Sequence, residues 1–162
     1  MVERRRHRRA QPDAIKKEEN SMLDKMCAFL ARAPALQGLS MAIGDVGPQP
    51  GTAGLWTKGI TVLERRENLL GGVRQRCRAE FTLRLCLPLT QAENAARLLA
   101  LQSWAAAESA AHRAPVFGNT DTEREVLRAE QGRIERADAG GTVVYTVRLQ
   151  ADYTQSFTEE LQ

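Results

Sequence analysis

Histidine is almost missing from this chain, and cysteine is sparse. His7 and His112 are the two histidines, and Cys27, Cys77 and Cys86 are the three cysteines among 162 residues. No Ser/His/Asp or Cys/His arrangement can be assembled from so few imidazoles. An odd number of cysteines with no Cys-x-x-Cys spacing gives neither a zinc site nor a disulfide framework, and fits a reducing compartment. No run of about 18 apolar residues is present to cross a membrane. The basic start is not followed by the apolar stretch of a secretory signal, so a soluble intracellular protein is expected. The one Gly/Pro-rich loop, Gly47 to Gly54, lacks the Gly-x-x-x-x-Gly-Lys-Ser/Thr phosphate cradle, and its prolines remove amides that such a cradle uses. The carboxylates form no obvious acid and base pair. No enzyme, metal or cofactor is expected.

The charge that is present is unevenly placed. Residues 1–20 hold Arg4, Arg5, Arg6, Arg8, Arg9, Lys16 and Lys17 against Glu3, Asp13, Glu18 and Glu19, a net of +3 that equals the net charge of the whole chain. Residues 21–162 are therefore neutral overall, and a basic pI describes the N-terminal arm alone. With Val2 and Ile15 its only large apolar residues, the arm cannot offset its ordering entropy, and it reads as disordered, with helix limited to Ala14–Glu19. Arg4, Arg5, Arg6, Arg8 and Arg9 are candidates for nucleic-acid contact; the plainer alternative is a solvated tail.

The stretch with the strongest pattern is Val73 to Leu87. In an extended chain Val73, Cys77, Ala79, Phe81, Leu83, Leu85 and Leu87 share one face, and Arg74, Arg76, Arg78, Glu80, Thr82 and Arg84 share the other. At about 3.3 Å per residue this strand runs roughly 50 Å, so it is expected to project as a hairpin arm. The preceding strand is read from Trp56, Ile60 and Val62, and the tip from Arg65 to Gly72. Leu69 and Leu70 at that tip either fold back or dock on a partner. Cys77 is expected to be buried and inert, and Cys86, on the arginine face, more accessible.

Around this strand the other elements fall into order. Ser21 caps a helix whose Met22, Met26, Phe29, Leu30 and Ala33 recur at helical spacing until Pro34. Leu39, Met41 and Ile43 alternate as a short strand. Thr90 with Glu93 opens a long helix running to Arg113, with Leu98, Leu101, Trp104, Ala105 and His112 on its inner side. Beyond the turn at Asp138 to Gly141, Val143, Tyr145, Val147, Leu149, Ala151 and Tyr153 alternate as a last strand. That strand needs an antiparallel neighbour, placed within 124–137. The sum is an α+β domain over residues 21–158 with a short tail at 159–162. Its order is αβββαββ, with a mainly antiparallel sheet of four to five strands, two helices on one face and a long protruding β-hairpin. The opposite face, with Arg74, Arg76, Arg78, Arg84 and Arg148, is left open.

Several of these stretches also resemble a known family. They are Met22-Leu-Asp-Lys-Met-Cys-Ala-Phe-Leu30, the Gly/Pro loop after the first strand, Phe81-Thr-Leu-Arg-Leu85, and Tyr145-Thr-Val-Arg-Leu-Gln-Ala-Asp-Tyr153. Over about Met22 to Phe157 the chain resembles the tail terminator proteins of long-tailed bacteriophages and prophages, also described as minor capsid or tail-to-head joining proteins. Members commonly begin near the position of Met22, and residues 1–21 depart from that pattern. The resemblance implies a virion structural protein, assembled in the bacterial host cytoplasm and placed at the tail-head junction. It implies a homo-oligomeric ring, usually a hexamer, that caps the head-proximal end of the tail tube and stops its polymerisation. The partners implied are the tail tube protein, a head-completion protein and DNA passing through the lumen without sequence specificity. In such a ring Arg74, Arg76, Arg78 and Arg84 have two possible tasks: pairing with Glu123, Glu125 and Glu130 of a neighbour, or lining the lumen against phosphates. The alternative function is a small nucleic-acid-binding module acting through the basic arm and the arginine face.

Overall fold

The computed structural model describes residues 12–89, 91–130 and 132–159. Arg4, Arg5, Arg6, Arg8, Arg9 and the cap residue Thr90 lie outside them. Helix α1 spans Pro12–Leu30 and α2 spans Gln91–Ala110. The strands are β1 Ser40–Ile43, β2 Thr52–Glu67, β3 Gly72–Pro88, β4 Val126–Ala129, β5 Arg133–Asp138 and β6 Thr142–Thr158. The α+β class and the expected order hold. The neighbour sought within 124–137 arrives as two short strands, β4 and β5, both antiparallel to β6. Together they bring the sheet to six strands in the order β1-β2-β3-β6-β4, with β5 also on β6. All pairings are antiparallel except β1 with β2.

α1 begins earlier than its apolar stripe predicts. Ser21 lies inside the helix rather than at its cap, and the helix crosses the expected boundary between residues 20 and 21. The cause is local. Proline is tolerated in the first helical turn, and Ala14 to Glu19 are good helix formers that need no core to continue the helix. The buried stripe is Met22, Leu23, Met26, Phe29, Leu30 and Ala33.

One face of the sheet carries the core. Cys77, Ala79, Phe81, Leu83, Leu85 and Leu87 of β3 join Val143, Tyr145, Val147, Leu149, Ala151 and Tyr153 of β6 under the two helices. Leu101 and Ala105 of α2 are fully buried there, and Trp104 stacks on Phe29 with ring centroids 4.6 Å apart. His112 does not join them. It is exposed at φ 57 just past α2, where its N–H donates to Ser109 O and that of Arg113 donates to Glu108 O. This paired closure puts a left-handed residue after the helix and turns the chain away from the core.

β2 departs from its expected pattern because of two bulges, at Lys58 and Leu63. Each inserts one residue and exchanges the faces beyond it. Trp56 therefore stands opposite Thr82 on the polar side and is 57% exposed, whereas Ile60 and Val62 stand opposite Ala79 and Cys77. The residues of β2 that enter the core are Ala53 and Leu55. Between β1 and β2 the connecting loop recrosses the polar side over Gly54, where a Cβ would lie 2.5 Å from Gly44 O and 2.8 Å from Val46 N. Only glycine fits beneath that crossing.

Candidate functional site

The projecting arm has three strands, not two. β6 stays paired with β3 from Thr142 opposite Pro88 to Thr158 opposite Gly72, and the Glu159 amide then donates to Gly71 O at 2.8 Å. At the tip, the Asn68 carboxamide oxygen accepts from the amides of Leu70 at 3.0 Å and Gly72 at 2.8 Å. Gly71 takes φ 83 to close the turn. Leu69 and Leu70 are presented outward, 99% and 84% exposed. No described residue covers them, so the pair does not fold back onto the described part of the chain.

The arginine face is more self-satisfied than its sequence implies. Arg78 donates to both oxygens of Asp152 at 2.7 and 3.0 Å, and those hydrogen bonds hold its guanidinium pKa above the ordinary value. Arg84 reaches Asp45 at 3.1 Å and Glu135 at 3.1 Å, and Arg148 reaches Glu130 at 3.6 Å. The Arg84 Nε is close to Glu135 but poorly aligned, and makes no hydrogen bond. Asp45 is held below the ordinary carboxylate range, first by the Val46 amide and then by Arg84. Arg74 pairs with Asp121. Arg76 makes no ion pair among the described residues and is exposed.

Within the chain, Arg74, Arg78 and Arg84, and Arg148 beside them, thus already have carboxylate partners. Their partners come from β6, from the edge strands and from loops far away in sequence. Glu130 belongs to Arg148, and Glu125 accepts the amides of Phe117 and Gly118 at 2.8 and 3.0 Å. Glu123 is exposed and makes no ion pair among the described residues.

The inner end of this face is also covered rather than open. Thr82, Cys86 and Val144 are buried on it, while Arg84 joins the β1–β2 loop to β5 across it. Cys86 is consequently not accessible as expected, and Cys77 is buried on the core side. Cys27 is half-buried, and burial together with nearby Asp24 raises its thiol pKa.

Toward the arm, the open part of the face forms a cavity of about 410 Å³ lined by Glu64, Arg66, Arg74, Arg76, Asp121, Arg124, Glu125 and Asp152, with Tyr153 and Thr154. Four guanidiniums meet four carboxylates there. Such a surface is near neutral, suited to a mixed-charge protein partner more than to a polyanion. Arg124 and the loop it stands on were not among the expected site residues; no alternation marks that loop, and its Gly118 packs where a Cβ would strike the Thr154 backbone.

The two sheet edges differ. β5, β4 and the Thr120 bridge to Thr154 cover β6 along most of its length. β2 is covered by β1 only from Thr52 to Leu55, so its run from Trp56 to Glu67 is an open edge, interrupted by the two bulges. Among the described residues no group of three or more His, Cys, Asp or Glu could hold a metal ion, and no helix is long and apolar enough to cross a membrane. No known family model matches the chain, and no curated protein matches it.

Proposed function

We propose that this chain is a structural assembly subunit, a tail terminator that forms a homo-oligomeric ring on the head-proximal end of a phage tail tube. It stops tube polymerisation there and offers a surface for head-tail joining. The observation that carries the reading is the arm tip, where Leu69 and Leu70 are presented to solvent on an ordered three-stranded extension. Two adjacent leucines held outward by a hydrogen-bonded turn mark a contact site rather than a solvated loop. The resemblance over Met22 to Phe157 supplies the kind of assembly. The near-neutral arm cavity favours protein contact over DNA gripping, which agrees with DNA moving freely through a lumen. In this reading Arg76 and Arg124 face a neighbouring subunit, the tube or a head-completion protein.

Light scattering of the full chain over a concentration series, alone and with a tail tube protein, tests the reading. The expected result is a ring of defined mass, formed alone or on contact with the tube. A monomer that ignores the tube protein at every concentration overturns it.

A further inference from the structure

At the end of the sheet remote from the arm tip lies an apolar groove of about 620 Å³ between α2 and β5. Its walls are Leu98, Leu99, Gln102, Gly132 and Ile134, and Tyr145 forms its floor. Leu99 and Ile134 are 63% and 59% exposed, whereas Tyr145 is 5% exposed. Gly132 lets β5 approach α2 this closely, since a Cβ there would lie 2.9 Å from the Leu98 methyls. Leu99 and Ile134 thus face a gap that no described residue fills.

The chain therefore carries one apolar projection and one apolar recess. β6 joins them, from Tyr145 at the groove to Thr158 beside the tip. Thirteen steps along that strand span about 43 Å at 3.3 Å per residue, so the two cannot meet within one copy. We propose that Leu69 and Leu70 of one copy dock into the groove formed by Leu98, Leu99 and Ile134 of a second copy. The inference rests on the self-assembling reading above and specifies its contact.

A tip entering a different surface on the next copy is a heterologous contact, which generates a ring when the rotation closes. Each copy gives one tip and receives one. Two leucines cover well under the roughly 800 Å² per partner of a stable interface. An isolated pair should therefore dissociate readily, and the contact gains its strength in a closed ring, where every copy is held at both ends.

The test uses full chains carrying Leu70→Cys or Ile134→Cys, mixed under mild oxidation and read as covalent dimer, alone and with a tail tube protein. The wild-type chain serves as the control for Cys27, the most accessible native thiol. The expected result is a dimer in the mixture that neither variant forms by itself. Leu70→Asp is a second probe, expected to weaken self-association about 30-fold or more, the loss typical of a buried interface anchor. Assembly of the wild type at the expected mass, with no mixed disulfide and with Leu70→Asp assembling equally well, overturns the groove contact and leaves the ring standing. Tip-to-tip disulfides in Leu70→Cys alone, as abundant as in the mixture, overturn it in favour of a two-fold contact. A wild type monomeric under all conditions, with no disulfide, removes both the contact and the ring.

Discussion

Arg76 and Arg78 stand two residues apart on the same face of β3, and the sequence gives no ground for treating them differently. Their cross-strand neighbours do. Arg78 lies opposite Asp152 and makes two hydrogen bonds with it, while Arg76 lies opposite Thr154 and makes no ion pair among the described residues. Removing one partner of a well-formed pair leaves the other with unmet hydrogen-bonding capacity. Arg78→Gln should accordingly lower the thermal midpoint, because Asp152 loses both donors. Arg76→Gln should stay within about 0.5 kcal/mol of the wild type, as surface substitutions usually do, and should weaken assembly with a mixed-charge partner. Thermal melts beside light scattering separate the two effects. Equal midpoints for both variants would refute the assignment.

At the scale of elements, a buried carboxylate helps to join the C-terminal ends of the two helices. Glu108 of α2 is buried, pairs with Arg113 at 2.9 Å, and lies 3.5 Å from Arg32 just past α1. The Arg113 hydrogen bonds, opposed by burial and aided by the charges of Arg113 and Arg32, hold its pKa below the ordinary glutamate range. A carboxylate with a lowered folded-state pKa stabilises the fold above its unfolded value, and that contribution is lost as pH falls through the folded value. Glu108→Gln should be less stable than the wild type at neutral pH. The gap between them should narrow as pH drops below the ordinary glutamate range. Melts from pH 7 to 3 give the check, and a gap that is independent of pH would show that Glu108 acts by packing alone. Neighbouring Lys25 ties α1 to the loop after α2 through Val116 O at 2.9 Å, so the loss should be felt across the helical layer.

For the whole molecule, charge and apolar surface lead to different expectations. The arm cavity balances four arginines with four carboxylates, whereas the tip and the groove are apolar. Assembly through the tip should therefore change little between low and moderate salt. Binding through phosphate contacts would fall steeply over the same range. Sedimentation of the full chain at several salt concentrations discriminates between them. A self-association that vanishes as salt rises would shift weight to the arginine face.

Much of this arrangement was legible in the chain itself. The alternation in Val73 to Leu87 and in Val143 to Tyr153, and the helical stripe from Met22 to Ala33, determine the two long strands, the first helix and which face is buried. These are local periodicities, and any fold that hides the apolar residues must obey them. Where a bulge inserts one residue, as at Lys58, the period fails, and Trp56 and Ile60 part company across the sheet. Where good helix formers precede the first apolar stripe, as from Pro12 to Asn20, the stripe does not mark the helix start. The tertiary structure alone decided the remainder: that Asp152, Glu130, Glu135 and Asp45 neutralise arginines far from them in sequence, and that β6 turns the hairpin into a three-stranded arm. It alone set Leu69 and Leu70 at one end of the molecule and an apolar groove at the other. Those outcomes depend on which strands become neighbours and in what register, and register is a property of pairs of strands that no single strand carries.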